Sequence, residues 1–335
     1  MIKIEDIYYY LPNEPIDNNS IGLKNPSWDM SALYNKTGVS TRYYASDKET
    51  ALDLSIKACE ELFKNRPEIK ELIDGLIFCT QSNDYIMPPN SSILHGVLNL
   101  SEDVFAYDFN LACSGFVYGL SMAHGLIVGG ITKNILLVNA DTYSKYINKK
   151  DRSTKVLFGD AASVAYIKKS NNKKGIIGFR SATSGKNYKK FIIPAGGNRT
   201  PKSNKTSSKI IDKSGNERSA ENIHMDGMGI FAFVNSKVPK QINSLLNDNN
   251  FSIKDIDLFI FHQASKLAID SLTKILKIDK NKVFTNIDYV GNTVSASIPI
   301  ALKDATSGGK IKKGNKILCS GFGVGLSWST CIIQY

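Results

Sequence analysis

The chain has 335 residues, 42% hydrophobic and 22% charged, a globular composition that excludes disordered and fibrous classes. No apolar run reaches the roughly 20 residues a bilayer span needs, and the acidic pair in Met1-Ile2-Lys3-Ile4-Glu5-Asp6 stands where an export signal carries its apolar stretch. Its 42 basic and 31 acidic residues give a net charge of +11, which suits an acidic protein, a phosphate-bearing partner or simply a Lys-rich solvated surface.

Nucleic acid is disfavoured, because the lysines are spread along the chain and no helix-turn-helix, zinc-knuckle or RNP-type motif accompanies them. The five cysteines, Cys59, Cys79, Cys113, Cys319 and Cys331, are odd in number and form no Cys-x-x-Cys pair. That pattern argues against a disulfide framework or a zinc site and for a reduced, cytoplasmic compartment.

Periodicity predicts alternating strands and helices. In chain order, strands are expected near Lys3 to Tyr9, Gly75 to Cys79, Val104 to Phe109, Asn134 to Val138 and Ser163 to Ile167. Helices are expected near Ala51 to Phe63, Asn90 to Leu98 and Ser114 to Val128. A second series follows, with strands near Ile176 to Ala182, Leu258 to Phe261, Val283 to Ile287, Lys316 to Cys319 and Leu326 to Ile333. Its helices fall near Ile230 to Leu246, Lys266 to Ile275 and Ser295 to Lys303. The element order repeats without a residue-level repeat. Two similar α/β halves, residues 1–172 and 173–335, are therefore expected, joined near the polar stretch Ser170 to Lys174. The Ser-, Asn- and Lys-rich segment Asn198 to Asn222 breaks the pattern and reads as a mobile surface loop.

Three reactive side chains fall just past strand ends, where open α/β sheets host ligands. Cys113 follows an apolar strand and precedes a helix, whose unpaired N–H groups and positive dipole end should favour thiolate. The small neighbours Ala112, Ser114 and Gly115 leave room for a carbonyl; the competing reading is a buried structural cysteine. His262 closes the strand Phe259-Ile260-Phe261 and is either a hydrogen-bonded core residue or a proton donor or base. Asn292, in Gly291-Asn292-Thr293, offers an amide N–H₂ in what is otherwise a turn before a helix N-terminus, with Pro299 early in that helix. In the repeated order Cys113 and Asn292 follow equivalent strands, so a two-fold relation between halves would bring them together beside His262.

In this order and with these neighbours, the three resemble β-ketoacyl-acyl carrier protein synthase III, a condensing enzyme of the thiolase superfamily. The matching stretches are Ala112-Cys113-Ser114-Gly115-Phe116, Phe158-Gly159-Asp160-Ala161-Ala162, His262-Gln263-Ala264-Ser265, Gly291-Asn292-Thr293 and the segment from Gly321 to Trp328. Trp28 and Lys36-Thr37-Gly38-Val39 resemble the family's N-terminal tryptophan and Arg-Thr-Gly-Ile motif. The resemblance implies a thiolase-like duplicated fold in five layers, αβαβα, and a homodimer.

It further implies that Cys113 takes an acyl group from an acyl-CoA or acyl carrier protein, with the backbone amides of Cys113 and Val324 as oxyanion hole. His262 and Asn292 would then stabilise the enolate of a malonyl thioester, which attacks the acyl group to give a β-ketoacyl thioester. No metal or redox cofactor is implied; coenzyme A and phosphopantetheine thioesters are substrates. Phe116 is expected near the cysteine pocket. Trp28 and Arg152 would sandwich adenine, and Met87 of the dimer mate would floor the acyl pocket.

The chain departs from the family at Ser265, where Asn is usual, and at Val324, where the middle Gly of Gly-Gly-Gly is usual. Two family arginines are Ser40 and Leu267 here, with Arg42 two places after the first. Three other readings compete. One is an acyltransferase of the same fold acting on an O, N or S nucleophile. A hydroxymethylglutaryl-type synthase would want a glutamate where this chain has Gln81. A Cys-His-Asn hydrolase leaves the repeated α/β order without a role.

Overall fold

A computed structural model describes residues 1–170 and 174–335. Two mixed sheets organise them. The first runs in the order Ile2–Tyr10, Ala161–Lys169, Asn134–Asp141, Gly75–Cys79, Phe105–Phe109, with the last three strands parallel to one another. The second runs Leu258–Phe261, Lys316–Gly323, Ser327–Gln334, Gly175–Thr183, parallel at the first pairing and antiparallel after it.

The helices divide into three layers around these sheets. Helices Ala51–Asn65 and Asn90–Val97 cover the outer face of the first sheet, and Gly227–Asp248 with Lys266–Ile275 covers the outer face of the second. Gly115–Val128 and Ser297–Ser307 lie between the sheets and touch both. The sequence accounts for this division. In Ala51–Asn65 the residues Leu54, Ala58 and Leu62 are spaced by four and bury one stripe, while Thr50 and Asp53 close a capping box at its start. In Gly115–Val128 apolar residues run nearly all round the helix, as a helix packed on both sides requires.

Most expected elements stand within two or three residues of their predicted ends, and the exceptions are informative. The strand expected at Val283 to Ile287 is reduced to a single parallel bridge from Val283 to Phe259. The side chain of Gln263 accepts from the Asn286 N–H at 3.1 Å and ends the ladder, and a short helix begins at Ile287. The segment Asn198 to Asn222 is built rather than a plain loop: it holds a one-turn helix, Asn204–Ser207, and a hairpin from Ile210–Ile211 to Glu217–Arg218. The junction expected at Ser170 to Lys174 falls partly on residues 171–173, outside the described residues. Among the described residues no helix is long and apolar enough to cross a membrane.

Candidate active site

Cys113 sits between the strand Phe105–Phe109 and the helix Gly115–Val128, with 3% of its surface exposed. Two glycines of the strand Lys316–Gly323 lie against it. A Cβ on Gly323 would stand 2.9 Å from Cys113 Cβ and 3.0 Å from its Sγ, and one on Gly321 would stand 2.5 Å from the Cys113 carbonyl oxygen. The sheet strand thus closes on the nucleophile's backbone because it carries no side chain there. Burial pushes the Cys113 thiol well up, and the nearby Asp141 carboxyl adds to this. The expectation that the helix end favours thiolate is corrected. Ser114 is the N-cap, so Cys113 lies one residue outside the helix, and burial disfavours its charged form.

His262 follows Leu258–Phe261, and its backbone N–H donates to Ser320 O at 2.9 Å. Its Nδ1 lies 3.0 Å from Ser297 Oγ, which itself accepts the Gln263 N–H at 2.8 Å. The Ser297 hydroxyl can donate to Nδ1, and in that tautomer the imidazole proton is on Nε2. Burial lowers the His262 pKa to about 3, so the ring is neutral and Nε2 donates through the physiological range. The unfolded chain therefore takes up this proton first, and the stability held by the neutral ring is lost as pH falls below about 6.5 towards 3. Phe322 packs edge-on against the imidazole, ring centroids 5.7 Å apart.

Asn292 is fixed by its backbone: its N–H donates to Leu157 O at 2.9 Å and its carbonyl accepts from Gly159 N at 2.9 Å. Its side-chain Oδ1 accepts the Val294 N–H at 3.0 Å, leaving the amide N–H₂ with one long bond, 3.4 Å, to Ala264 O. Val294 has φ +54°, a left-handed conformation unusual for a β-branched residue. The next residue, Ser295, donates to the fully buried Asp141 from both its hydroxyl, at 2.5 Å, and its backbone, at 3.2 Å. Burial raises the Asp141 pKa to about 7 against these bonds. Asp141 ties the Asn292 turn to the strand beside Cys113.

One cavity of about 700 Å³ is lined by Cys113, His262 and Asn292 together, with Phe322 and Gly323 beside them. Arg152, Ser265 and Leu267 also line it. Ser265 caps the helix Lys266–Ile275 by accepting the Ala268 N–H at 3.2 Å, so the departure from Asn keeps a capping oxygen. Arg42 does not stand in for Ser40 on the surface. It is fully buried, with its guanidinium donating to Asn18 Oδ1 at 2.6 Å and to Val156 O at 2.8 Å.

Other expected site residues lie elsewhere. Phe116 is fully buried between the sheets with Ile77, Leu120 and Ile298 and is not part of the cavity wall, because the helix face it occupies is turned from the thiol. Trp28 is half-buried before the helix Met30–Thr37, outside the cavity wall, whereas Lys36 and Thr37 are in it. Val324 directly follows Gly323, which packs against Cys113, and it lines the adjoining chamber with Gly325. Met87 is 79% exposed on the loop after Gly75–Cys79.

Sequence reading missed the hairpin at the cavity mouth. Asp212, Ser214, Asn216 and Arg218 all line the cavity; Ser214 O accepts from Arg152 Nη2 at 2.8 Å, and Arg218 pairs with Asp212 and with the buried Asp151. The turn signal was present in Asp212-Lys213-Ser214-Gly215-Asn216 between two short β pairs, with Gly215 at φ +80°. Ser297 and Asp141 gave no signal, since each acts through a partner distant in sequence.

Two sheets enclosing helices, with a thiol, an imidazole and a carboxamide converging at strand ends, define a condensing enzyme of the thiolase fold. The chain belongs to the 3-oxoacyl-[acyl-carrier-protein] synthase III family. The family's models match residues 107–185 and, for the C-terminal part, 246–335. The chain is 34% identical over 329 residues to the β-ketoacyl-[acyl-carrier-protein] synthase III of Rickettsia typhi, covering 97% of each. It is 32% identical to that of Fusobacterium nucleatum, covering 100% of this chain and 98% of the other. A 3-oxoacyl-(acyl-carrier-protein) synthase III solved at 2.1 Å superposes with a TM-score of 0.97 at 36% identity, covering 100% and 99% of the two chains. The enzyme of Burkholderia xenovorans gives 0.91 at 30%, covering 99% and 93%.

Proposed function

We propose that this chain performs decarboxylative condensation of an acyl thioester with a malonyl thioester carried by an acyl carrier protein. The observation that carries the proposal is the single cavity holding a nucleophilic thiol beside two neutral N–H donors of fixed orientation. The Cys113 sulfur attacks the acyl carbonyl, the thioester C–S bond breaks, and the departing thiol leaves with the proton. Backbone N–H groups at Cys113 and Val324 receive the oxyanion. A malonyl thioester then presents its carbonyl oxygen to His262 Nε2–H and Asn292 Nδ2–H. As CO₂ leaves, the electron pair passes into an enolate held by those donors. The carbanion attacks the acyl carbon, the bond from that carbon to the Cys113 sulfur breaks, and the released thiolate takes a proton from water. The thioester acidifies the α-carbon, so the scheme uses no metal or redox cofactor.

Two neutral donors favour this over transfer to an O, N or S nucleophile, which would call for a base; His262, with its pKa near 3, is a poor one. Intact-mass detection of acyl-Cys113, followed by its discharge on adding a malonyl thioester, tests the scheme. An acyl-enzyme that water or an amine discharges while the malonyl thioester does not would refute it.

The partners are an acyl carrier protein, an acyl-CoA with Arg152 at the mouth of its site, and a second copy of this chain; the compartment is the cytoplasm, in keeping with five free cysteines. A net charge of +11 supports docking of an acidic carrier. Carrier-dependent turnover should fall steeply with salt, as exposed charges are screened over about 10 Å at 0.1 M; a rate indifferent to ionic strength counts against the docking. The exposed apolar tip Tyr85-Ile86-Met87 supports the homodimer. Met87→Trp should shorten the acyl chain accepted, read as the product-length profile, and an unchanged profile would remove Met87 from the pocket.

A further inference from the structure

Beside the Cys113 cavity lies a second chamber of about 350 Å³, and Phe191 belongs to the walls of both. Val324 and Gly325 line it, directly after Gly323, against which the Cys113 side chain packs. Cys113 belongs to the same buried core cluster as Tyr143, Phe191 and Ile223, and the two cavities meet at Phe191. On the proposed reaction, a pantetheine arm entering past Arg152 would occupy the larger cavity, and the acyl group it delivers would have this chamber to extend into.

Its walls are not uniformly apolar. Ile192, Ile193 and Ile223 face three tyrosines, Gln81 and Asn110. The polar groups form a directed chain. The Tyr143 hydroxyl donates to Gln81 Oε1 at 2.5 Å, and Gln81 Nε2 donates to Asn110 Oδ1 at 2.6 Å. The Gln81 backbone N–H is anchored on Asp141 Oδ1 at 2.8 Å. Gln81 Oε1 accepts one of these bonds and Asn110 Oδ1 the other, and the chain ends on the Asn110 N–H₂, which among the described residues has no acceptor in the protein. The chamber therefore sets an amide N–H₂ with no protein acceptor beside apolar surface.

We propose that this chamber selects a short acyl group bearing a hydrogen-bond acceptor, a hydroxyl or carbonyl oxygen beyond the thioester carbon, over a purely hydrocarbon chain. The proposal rests on Cys113 being the acylated residue. A hydrocarbon chain would strip water from the Gln81 and Asn110 amides without replacing its hydrogen bonds, whereas an oxygen acceptor restores them.

The test compares initial acylation rates with 3-hydroxybutyryl-CoA and butyryl-CoA by intact mass. The wild-type protein should label at least about tenfold faster with the hydroxyacyl thioester. Asn110→Ala, at an exposed position, and Gln81→Leu, its folding checked by thermal unfolding, should each bring the ratio towards unity. Equal or faster labelling by butyryl-CoA in the wild type overturns the selectivity and leaves the acyl-transfer reading standing. A ratio unchanged in both variants removes the chamber as its source. Labelling by neither thioester overturns both readings together.

Discussion

Cys113→Ala should abolish the covalent acyl-enzyme yet retain measurable malonyl decarboxylation, and His262→Ala or Asn292→Ala should do the reverse. The two half-reactions draw on different atoms. Acyl transfer needs the Cys113 sulfur, while the enolate needs only the His262 Nε2–H and Asn292 Nδ2–H, which are oriented by Ser297 and by Val294 N–H independently of the thiol. Loss of one such donor costs about 10²–10³ in rate. The alanine variants at 262 and 292 should still become acylated, because the walls that hold Cys113 remain. Intact mass and CO₂ release, measured side by side, give the answer. The pH profile adds a second reading: in Cys113→Ala, decarboxylation should show no inflection from the imidazole between pH 5 and 8, since its pKa is about 3. Wild-type decarboxylation in either alanine variant at 262 or 292 would sink the condensing mechanism and leave simple acyl transfer.

Gly321→Ala and Gly323→Ala should both damage the enzyme, by separable routes. A Cβ at 321 meets backbone, 2.5 Å from Cys113 O and 2.9 Å from Ser114 Cα, and no rotamer change relieves it. Overpacking of this kind costs about 1–3 kcal/mol, so Gly321→Ala should lower the melting temperature as well as activity. A Cβ at 323 meets the Cys113 side chain instead, 2.9 Å from Cβ and 3.0 Å from Sγ. Relief there needs a small backbone shift that also tilts the nucleophile, and a displacement of about 1 Å can cost about 10² in rate. Gly323→Ala should therefore acylate slowly and lose less melting temperature than Gly321→Ala. Should Gly323→Ala acylate at the wild-type rate, the strand does not position the thiol as described.

The layered order was legible because strands such as Gly75–Cys79 and Leu258–Phe261 are short unbroken apolar runs, and helices such as Lys266–Ile275 carry a clear amphipathic stripe. Val283 to Ile287 misled for a related reason: its composition suits a strand, but Gln263, twenty-three residues earlier, takes the Asn286 N–H. The reactive residues Cys113, His262 and Asn292 could be picked out because each follows a strand end in an otherwise apolar or glycine-rich setting. The state of Cys113 could not, since the first sheet brings Asp141 near it and the strand carrying Gly321 and Gly323 buries it only when the halves pack. Nor could the placement of Phe116 beside Ile298, or the return of the hairpin to Arg152 over 62 residues of sequence. Polar segments rich in Ser, Asn and Lys carry no periodicity to mark what they pack against.

Val294 holds its left-handed backbone while its N–H is taken by Asn292 Oδ1 and its neighbour Ser295 is bound to Asp141. A conformation of this kind costs on the order of 1–3 kcal/mol, drawn from the stability of the surrounding fold. What that expense secures is a carboxamide dipole already aimed before any substrate arrives. In water, solvent dipoles must turn to meet a nascent negative charge, and that turning is part of the barrier; here the turning was completed when the chain folded.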